Sequence, residues 1–395
     1  MTIDHQQAVR LGMITPSSNT CLEPMTYRLL GDRRDVTAHF ARLPVTRIGL
    51  DSGAAAQFDE AAMLAAAAQL SDAKVDVVVW NGTAGSWLGV EHDSALAAKV
   101  ADAAGVPATT STLAMLAACR VYGISRLGLA TPYLADVNAR IAEVYAGEGV
   151  EVVAESHLGI EDNDAFGRVP PADVADQVRK VAEDAHACAV LCTNVHGAEL
   201  AADLESGLGV PVLDSVAATL WHALSLAGAR ASVPGFGTLL RDGFVRARLQ
   251  TVCEELLAAT SADRTTLRVD VPAHDLQVDL TAAEALRPGT RSIRREGSLD
   301  QRRLNTVEWL EVHRIDLVQP DFHEDPHPPQ ALIDVYGVHA QMLGPVQCDG
   351  DMTGWLSVHS LAERPWREQD IAALDAARAQ VEEIVAPLVR KGSQA

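Results

Sequence analysis

Three short apolar runs occur twice in the same order, and this repeat constrains the fold more than any other feature of the chain. LGMITP at 11–16 returns as LGLATP at 127–132, VDVVVWNGT at 75–83 as ACAVLCTN at 187–194, and GVPATTS at 105–111 as GVPVLDS at 209–215. The offsets fall from 116 through 110 to 104 residues, as expected when connecting loops shorten while the elements between them persist. The chain therefore carries a duplicated unit spanning about residues 8–235.

Each run is β-branched or apolar and ends in small hydroxyl and amide residues, the pattern of a buried parallel strand opening into a loop. Ala-rich stretches with helical spacing lie between the runs, such as FDEAAMLAAAAQLSDA at 58–73 and DVADQVRKVAEDA at 173–185. Strand then helix, repeated, predicts an α/β fold of two pseudo-symmetric doubly wound parallel-sheet halves, at 8–115 and 116–240. Past SVPGFGTLLRDGF at 232–244 the composition changes. A helix over RARLQTVCEELLAA, the segments TTLRVDVP and GDMTGWLSVHS, and a final amphipathic helix in WREQDIAALDAARAQVEEIVAPLV predict a separate α+β unit at 250–390.

Charge and cysteine usage narrow the function classes. Thirty-two Lys and Arg against 53 Asp and Glu leave a net charge of −21, which repels nucleic acid and anionic membranes. MTIDHQQAVRLGMI lacks a basic segment followed by a long apolar one, and no uncharged apolar run reaches the roughly 18 residues of a membrane helix. The expectation is a cytoplasmic protein with no nucleic-acid or membrane partner. Its six cysteines fit neither a zinc ribbon nor a CxxC redox pair and read as free thiols. No GxGxxG opens a helix and no GxxxxGK[ST] is present, so no nucleotide cofactor is indicated. HEDPH at 323–327 reads as a solvated acidic loop rather than a metal site.

Ligands of open parallel sheets bind beyond the carboxyl ends of the strands. That rule gathers TPSSNT, WNGTAGS, TPY, LCTN and LDS on one face, with Ser17, Asn19, Thr83, Tyr133, Thr193 and Asn194 among their residues and neither Lys nor Arg. Main-chain N–H groups and hydroxyls can cradle a small carboxylate without a cation. The plainer alternative is that Ser, Thr and Asn at such junctions cap helices.

Cys192 follows the apolar part of its run, before a helix expected to begin near Gly197. A thiol aimed at helix N–H groups has its pKa drawn below the free value of about 8.5; a merely buried cysteine is a small hydrophobe, the role expected of Cys188, Cys119 and Cys253. His196, four residues on, could pair with Cys192 as a nucleophile and base.

TPSSNTCLEP with Asn19, WNGTAGS, TPY with Tyr133, EDNDAFG with Asn163 and LCTN with Cys192 resemble the maleate cis-trans isomerase group of the Asp/Glu racemase superfamily, which also contains arylmalonate decarboxylase. The resemblance implies a cofactor-free enzyme with its site between two racemase-like halves. It also implies that Asn19, Tyr133 and Asn163 hold substrate carboxylates. In the isomerases a cysteine from each half faces the substrate, whereas this chain has Gly82 at the first of those positions and Ala84 where a serine is usual. At that point the chain resembles arylmalonate decarboxylase. There the resemblance implies carboxylate loss over a dioxyanion hole, here Thr83, Tyr133 and the Cys192–Thr193 backbone, followed by protonation from one thiol. Cys21, two residues after Asn19, is not placed in the cleft by the repeat. GDMTGWLSVHS followed by PWREQDIAALDAARAQVEEI resembles a GAF-type domain, which implies ligand sensing or dimer contact.

Three functions remain open: proton transfer at the carbon next to a carboxylate of a small acid, by decarboxylation or isomerisation; C–N hydrolysis of a small amide or imide with Cys192 as nucleophile; or an inactive small-molecule sensor. The expected partners are a small carboxylate substrate and a second copy of the chain, with no metal.

Overall fold

A computed structural model describes residues 8–230, 232–295, 297 and 299–392, so the first seven positions of the N-terminal segment lie outside the described residues. The chain forms two compact units, one of residues up to Arg120 with Ile124–Phe244, the other of Val121–Gly123 with residues from Val245 onward.

The first unit repeats one topology. Strands β1 (Val9–Pro16), β2 (Val36–Leu43), β3 (Val77–Trp80) and β4 (Ala108–Thr110) form a parallel sheet in the order β2-β1-β3-β4. Strands β5 (Arg126–Thr131), β6 (Glu151–His157), β7 (Ala187–Val190) and β8 (Val212–Asp214) repeat it as β6-β5-β7-β8. The inner strands β3 and β7 are buried at every residue, which is why VVVW and ACAV are unbroken apolar runs. The outer strands β2 and β6 are partly exposed and mix polar with apolar residues, so the repeat did not reveal them.

The glycine in each GVP segment has a backbone reason. Gly105 and Gly209 both take φ +71° where a helix ends, Val90–Ala104 in one half and Ala201–Leu208 in the other, a left-handed cap that side-chain-bearing residues adopt at a cost. The Ala-rich helix Glu60–Asp72 starts at Asp59, whose carboxylate accepts from the Ala61 N–H. It lays Met63, Ala66, Ala67 and Leu70 into the core. Because the strands are parallel, β3, β5 and β7 all release their chains at the same end of their sheets.

In the second unit, β9 (Arg264–Val269), β10 (Ala283–Leu286), β11 (Leu317–Gln319), β12 (Ala340–Cys348) and β13 (Asp351–Ser360) form an antiparallel sheet in the order β10-β9-β13-β12-β11. Leu267, Val269, Leu356 and Val358 share a core with Leu249, Val252 and Leu256 and with Leu374, Val381 and Val385 of the helix Glu368–Gly392. The helix Thr238–Thr260 begins eight residues before the expected RARLQTVCEELLAA, and Gly243 inside it lies against the Trp221 ring. No helix among the described residues is long and apolar enough to cross a membrane.

Candidate active site

Cys192 stands two residues beyond β7 and is 2% exposed. The Asn194 N–H donates to its Sγ at 3.4 Å, and the Tyr133 hydroxyl hydrogen-bonds the same sulfur. Tyr133, just past β5, is buried between Trp87 and Phe166 with ring centroids 5.4 and 5.5 Å away, both edge-on. Its hydroxyl also meets the Thr83 hydroxyl at 2.8 Å, joining the loop after β3 to the loop after β5.

Electrostatics overturn one expectation. Burial pushes the Cys192 thiol up to about 12, while the hydrogen bonds from Tyr133 and Asn194 pull the other way and lose. The helix expected near Gly197 starts as a single 3-10 turn, Ala198–Leu200, running into Ala201–Leu208. Of its neighbouring N–H groups the sulfur receives that of Asn194, so desolvation decides and the thiol keeps its proton near neutral pH. Tyr133 is likewise pushed well above its ordinary value by burial. His196 does not serve Cys192: its Nδ1 lies 3.6 Å from the Sγ of Cys21.

The amide residues in the loops brace the two halves against each other. Asn19 Oδ1 accepts from the Cys21 and Leu22 N–H groups, capping the helix Leu22–Leu30, and its Nδ2 donates to the Thr193 carbonyl at 3.1 Å and hydroxyl at 3.2 Å. The Thr193 hydroxyl donates in turn to the Asn81 carbonyl at 2.9 Å. Asn194 Oδ1 accepts from the Thr20 and Cys21 N–H groups, and its Nδ2 donates to the Asn163 carbonyl. Asn163 Nδ2 donates to Ser18 Oγ at 2.7 Å. Ser17 is exposed and turned away from this cluster, and its neighbour Ser18 makes the contact to Asn163 instead.

The backbone supplies what these side chains do not. Among the described residues, the N–H groups of Gly82, Thr83 and Ala84 after β3, and of Cys192 and Thr193 after β7, have no hydrogen-bond acceptor, although all five residues are buried. Buried N–H groups without partners are rare in folded proteins. Two such sets at equivalent places in the two halves, with the Thr83 and Tyr133 hydroxyls, are donors from which an anion could accept without a cation.

Two further residues join the cluster. Cys21 is 1% exposed, its Sγ donates to the Val195 carbonyl at 3.4 Å, and burial raises its pKa, with Asp214 and then Cys192 adding to the rise. Asp214 caps the helix Ser215–Leu226 through Oδ1, leaves Oδ2 buried without a partner among the described residues, and is pushed up to about 7 by burial. Ser215, the first residue of that helix, donates its hydroxyl to the Val190 carbonyl of β7 at 3.0 Å.

The second unit has a cavity of its own, of about 210 Å³, lined by Arg268, Arg291, Tyr336, Trp355 and His359 among others. Residues 266, 268, 355, 357 and 359 alternate with the core-facing residues of β9 and β13, so the cavity lies on the sheet face opposite the helices Thr238–Thr260 and Glu368–Gly392. In the acidic loop, His323 pairs with Asp321 and His327 with Asp325.

A family profile described as arylmalonate decarboxylase matches residues 11–240, and a GAF-domain profile matches residues 245–385. The first region is similar to arylmalonate decarboxylase of Bordetella bronchiseptica, 31% identical over 237 residues that cover 59% of this chain and 96% of that protein. It is also similar to maleate isomerase of Pseudomonas putida, 29% identical over 253 residues, 60% of this chain and 99% of that one. A solved maleate isomerase variant from Pseudomonas putida S16 with maleate superposes with a TM-score of 0.54 at 25% identity, covering 59% of this chain and 97% of its own. A liganded double mutant of arylmalonate decarboxylase gives 0.54 at 28% identity over 60% of this chain and 100% of its own.

Proposed function

The chain belongs to the arylmalonate decarboxylase family and is an enzyme of the isomerase or lyase kind, and on that footing we propose that it is a cofactor-independent, single-cysteine enzyme moving a proton at the carbon next to a carboxylate of a small acid. The observation that carries the proposal is the pair of acceptor-free N–H sets on buried residues just past β3 and just past β7, the second set including Cys192.

In the decarboxylating form of the reaction, one carboxylate of the acid accepts from these N–H groups and from the Thr83 and Tyr133 hydroxyls. The bond from the α-carbon to the other carboxylate breaks, carbon dioxide leaves, and the electron pair spreads onto the bound carboxylate as an enediolate. Donors fixed where that charge develops stabilise the transition state more than the ground state. The S–H proton of Cys192 then passes to the α-carbon, and the thiolate takes a proton back from solvent. The raised pKa of the thiol suits this order of events, since Cys192 still holds its proton when the carbanion forms. Amide hydrolysis needs a thiolate and a base beside it. The His196 imidazole, four residues after Cys192, contacts Cys21 instead.

The test is proton NMR in deuterated water with malonates, maleate, amino acids and cyclic amides. The expected result is a product carrying solvent deuterium at the α-carbon, abolished in Cys192→Ala. Turnover that survives Cys192→Ala overturns the assignment of the proton donor, and an acyl-enzyme trapped on Cys192 supports hydrolysis instead.

The cavity on the sheet of the second unit favours a further reading, that this GAF domain senses a small molecule. Calorimetry with the same panel on Cys192→Ala checks it: a binding event insensitive to changes around Cys192 supports sensing.

A further inference from the structure

Position 82 is the first-half counterpart of Cys192. Strand β3 ends at Trp80 as β7 ends at Val190, and in each case one residue intervenes before position 82 or 192. A Cβ placed on Gly82 would stand 2.3 Å from Cε2, 2.4 Å from Cζ2 and 2.5 Å from Nε1 of Trp80. Carbon atoms in contact sit about 3.5–4.0 Å apart, so the indole already occupies the direction a side chain at 82 would take.

That indole carries an unused donor. Trp80 is 1% exposed, and its Nε1–H has no hydrogen-bond partner among the described residues. Buried tryptophan N–H groups usually find an acceptor. The ring is held edge-on by Phe58, with centroids 6.3 Å apart, and Phe58 is in turn held at 6.3 Å from Trp87, which packs on Tyr133. The donor therefore lies against Gly82, the first of the three residues whose N–H groups have no acceptor.

We propose that Trp80 Nε1–H donates a hydrogen bond to a carboxylate oxygen of the bound acid on the Gly82 side of the site, across from Cys192. The inference rests on the proposed carboxylate function and adds a substrate-orienting residue to it. An indole N–H stays protonated throughout, so the Gly82 side holds the acid and exchanges no proton with it. The absence of a thiol at position 82 is then matched by a donor that fills the same space.

The experiment uses full-length protein labelled with ¹⁵N-tryptophan and titrated with the malonates and maleate of the panel. The Trp80 indole signal is identified by its absence in Trp80→Phe, or by its cross-peaks to the Gly82 amide should that variant fail to fold. The expected result is a downfield shift of this indole proton on saturation, with KM raised about tenfold in Trp80→Phe and kcat changed less. Saturation that moves the Thr83 and Cys192 amides but leaves the Trp80 indole in place, or a Trp80→Phe enzyme with unchanged KM, overturns the inference and leaves the proposed function intact. A panel that neither binds nor reacts removes both.

Discussion

The hydroxyls of Thr83 and Tyr133 meet at 2.8 Å although one belongs to the first half of the repeat and the other to the second. With the Tyr133 hydroxyl also acting on the Cys192 sulfur, these contacts form a short chain from one half to the thiol of the other.

Removing the middle of this chain is expected to hurt catalysis more than folding. Tyr133→Phe keeps the ring between Trp87 and Phe166. It deletes a donor of the kind worth about 10²–10³ in kcat. Steady-state kinetics beside a thermal melt checks this, and a loss in the melt comparable to that in rate would count against the role.

The raised pKa of Cys192 sets a pH dependence. A free thiol titrates near about 8.5, so a catalytic acid of that kind would lose activity from there upward. With Cys192 held at about 12, kcat is expected to stay level through that range, and alkylation of Cys192 to stay slow until much higher pH. Rate profiles and mass-spectrometric mapping of iodoacetamide labelling read this directly.

Asp214 predicts a slope in stability. Its folded pKa of about 7 lies above the ordinary 3.8, so the native state binds the proton more tightly. Stability from this group is full below the ordinary value and is lost as pH rises through about 7. Asp214→Asn is expected to flatten that fall in urea unfolding between those pH values while keeping an acceptor for the Val216 and Ala217 N–H groups.

Asn194 braces the site with a carboxamide used at both ends. Asn194→Ala leaves buried backbone groups unpaired, at about 1–3 kcal/mol each. Chemical denaturation is expected to show a loss of that order, with kcat falling because the Cys192 loop loses its anchor to the first half.

Gly82→Cys is expected to destabilise the protein by about 1–3 kcal/mol, as over-packing does, because the new Cβ meets the Trp80 ring. The double change Trp80→Leu with Gly82→Cys should recover part of that loss. Equal melting temperatures for Gly82→Cys and the parent would contradict the close contact.

The legible part of the fold was the part buried on both faces. Strands β3 and β7 announce themselves as VVVW and ACAV because nothing polar survives there. The outer strands β2 and β6 and the early start of the helix Thr238–Thr260 were missed, since a half-exposed strand or a glycine inside a helix leaves a weaker pattern. Of the site, the repeat separated Cys188 in the strand from Cys192 at its mouth and placed Thr83 and Thr193 at matching strand ends, while Asn163 came from the family resemblance alone. Cys21, Asp214 and Ser18 joined through contacts between segments far apart in the chain, which no local spacing records, while the Trp80 ring lies against Gly82 only two residues on.

By itself the sequence determined two related α/β halves, the loops at their strand ends, and a thiol in one half facing glycine in the other. Only the tertiary structure decided the state of that thiol and the use of the residues around it. Protonation depends on how completely water is removed from Cys192, and free donors depend on which N–H groups find no acceptor after packing. Both are properties of the space between segments, fixed when the two halves close on each other.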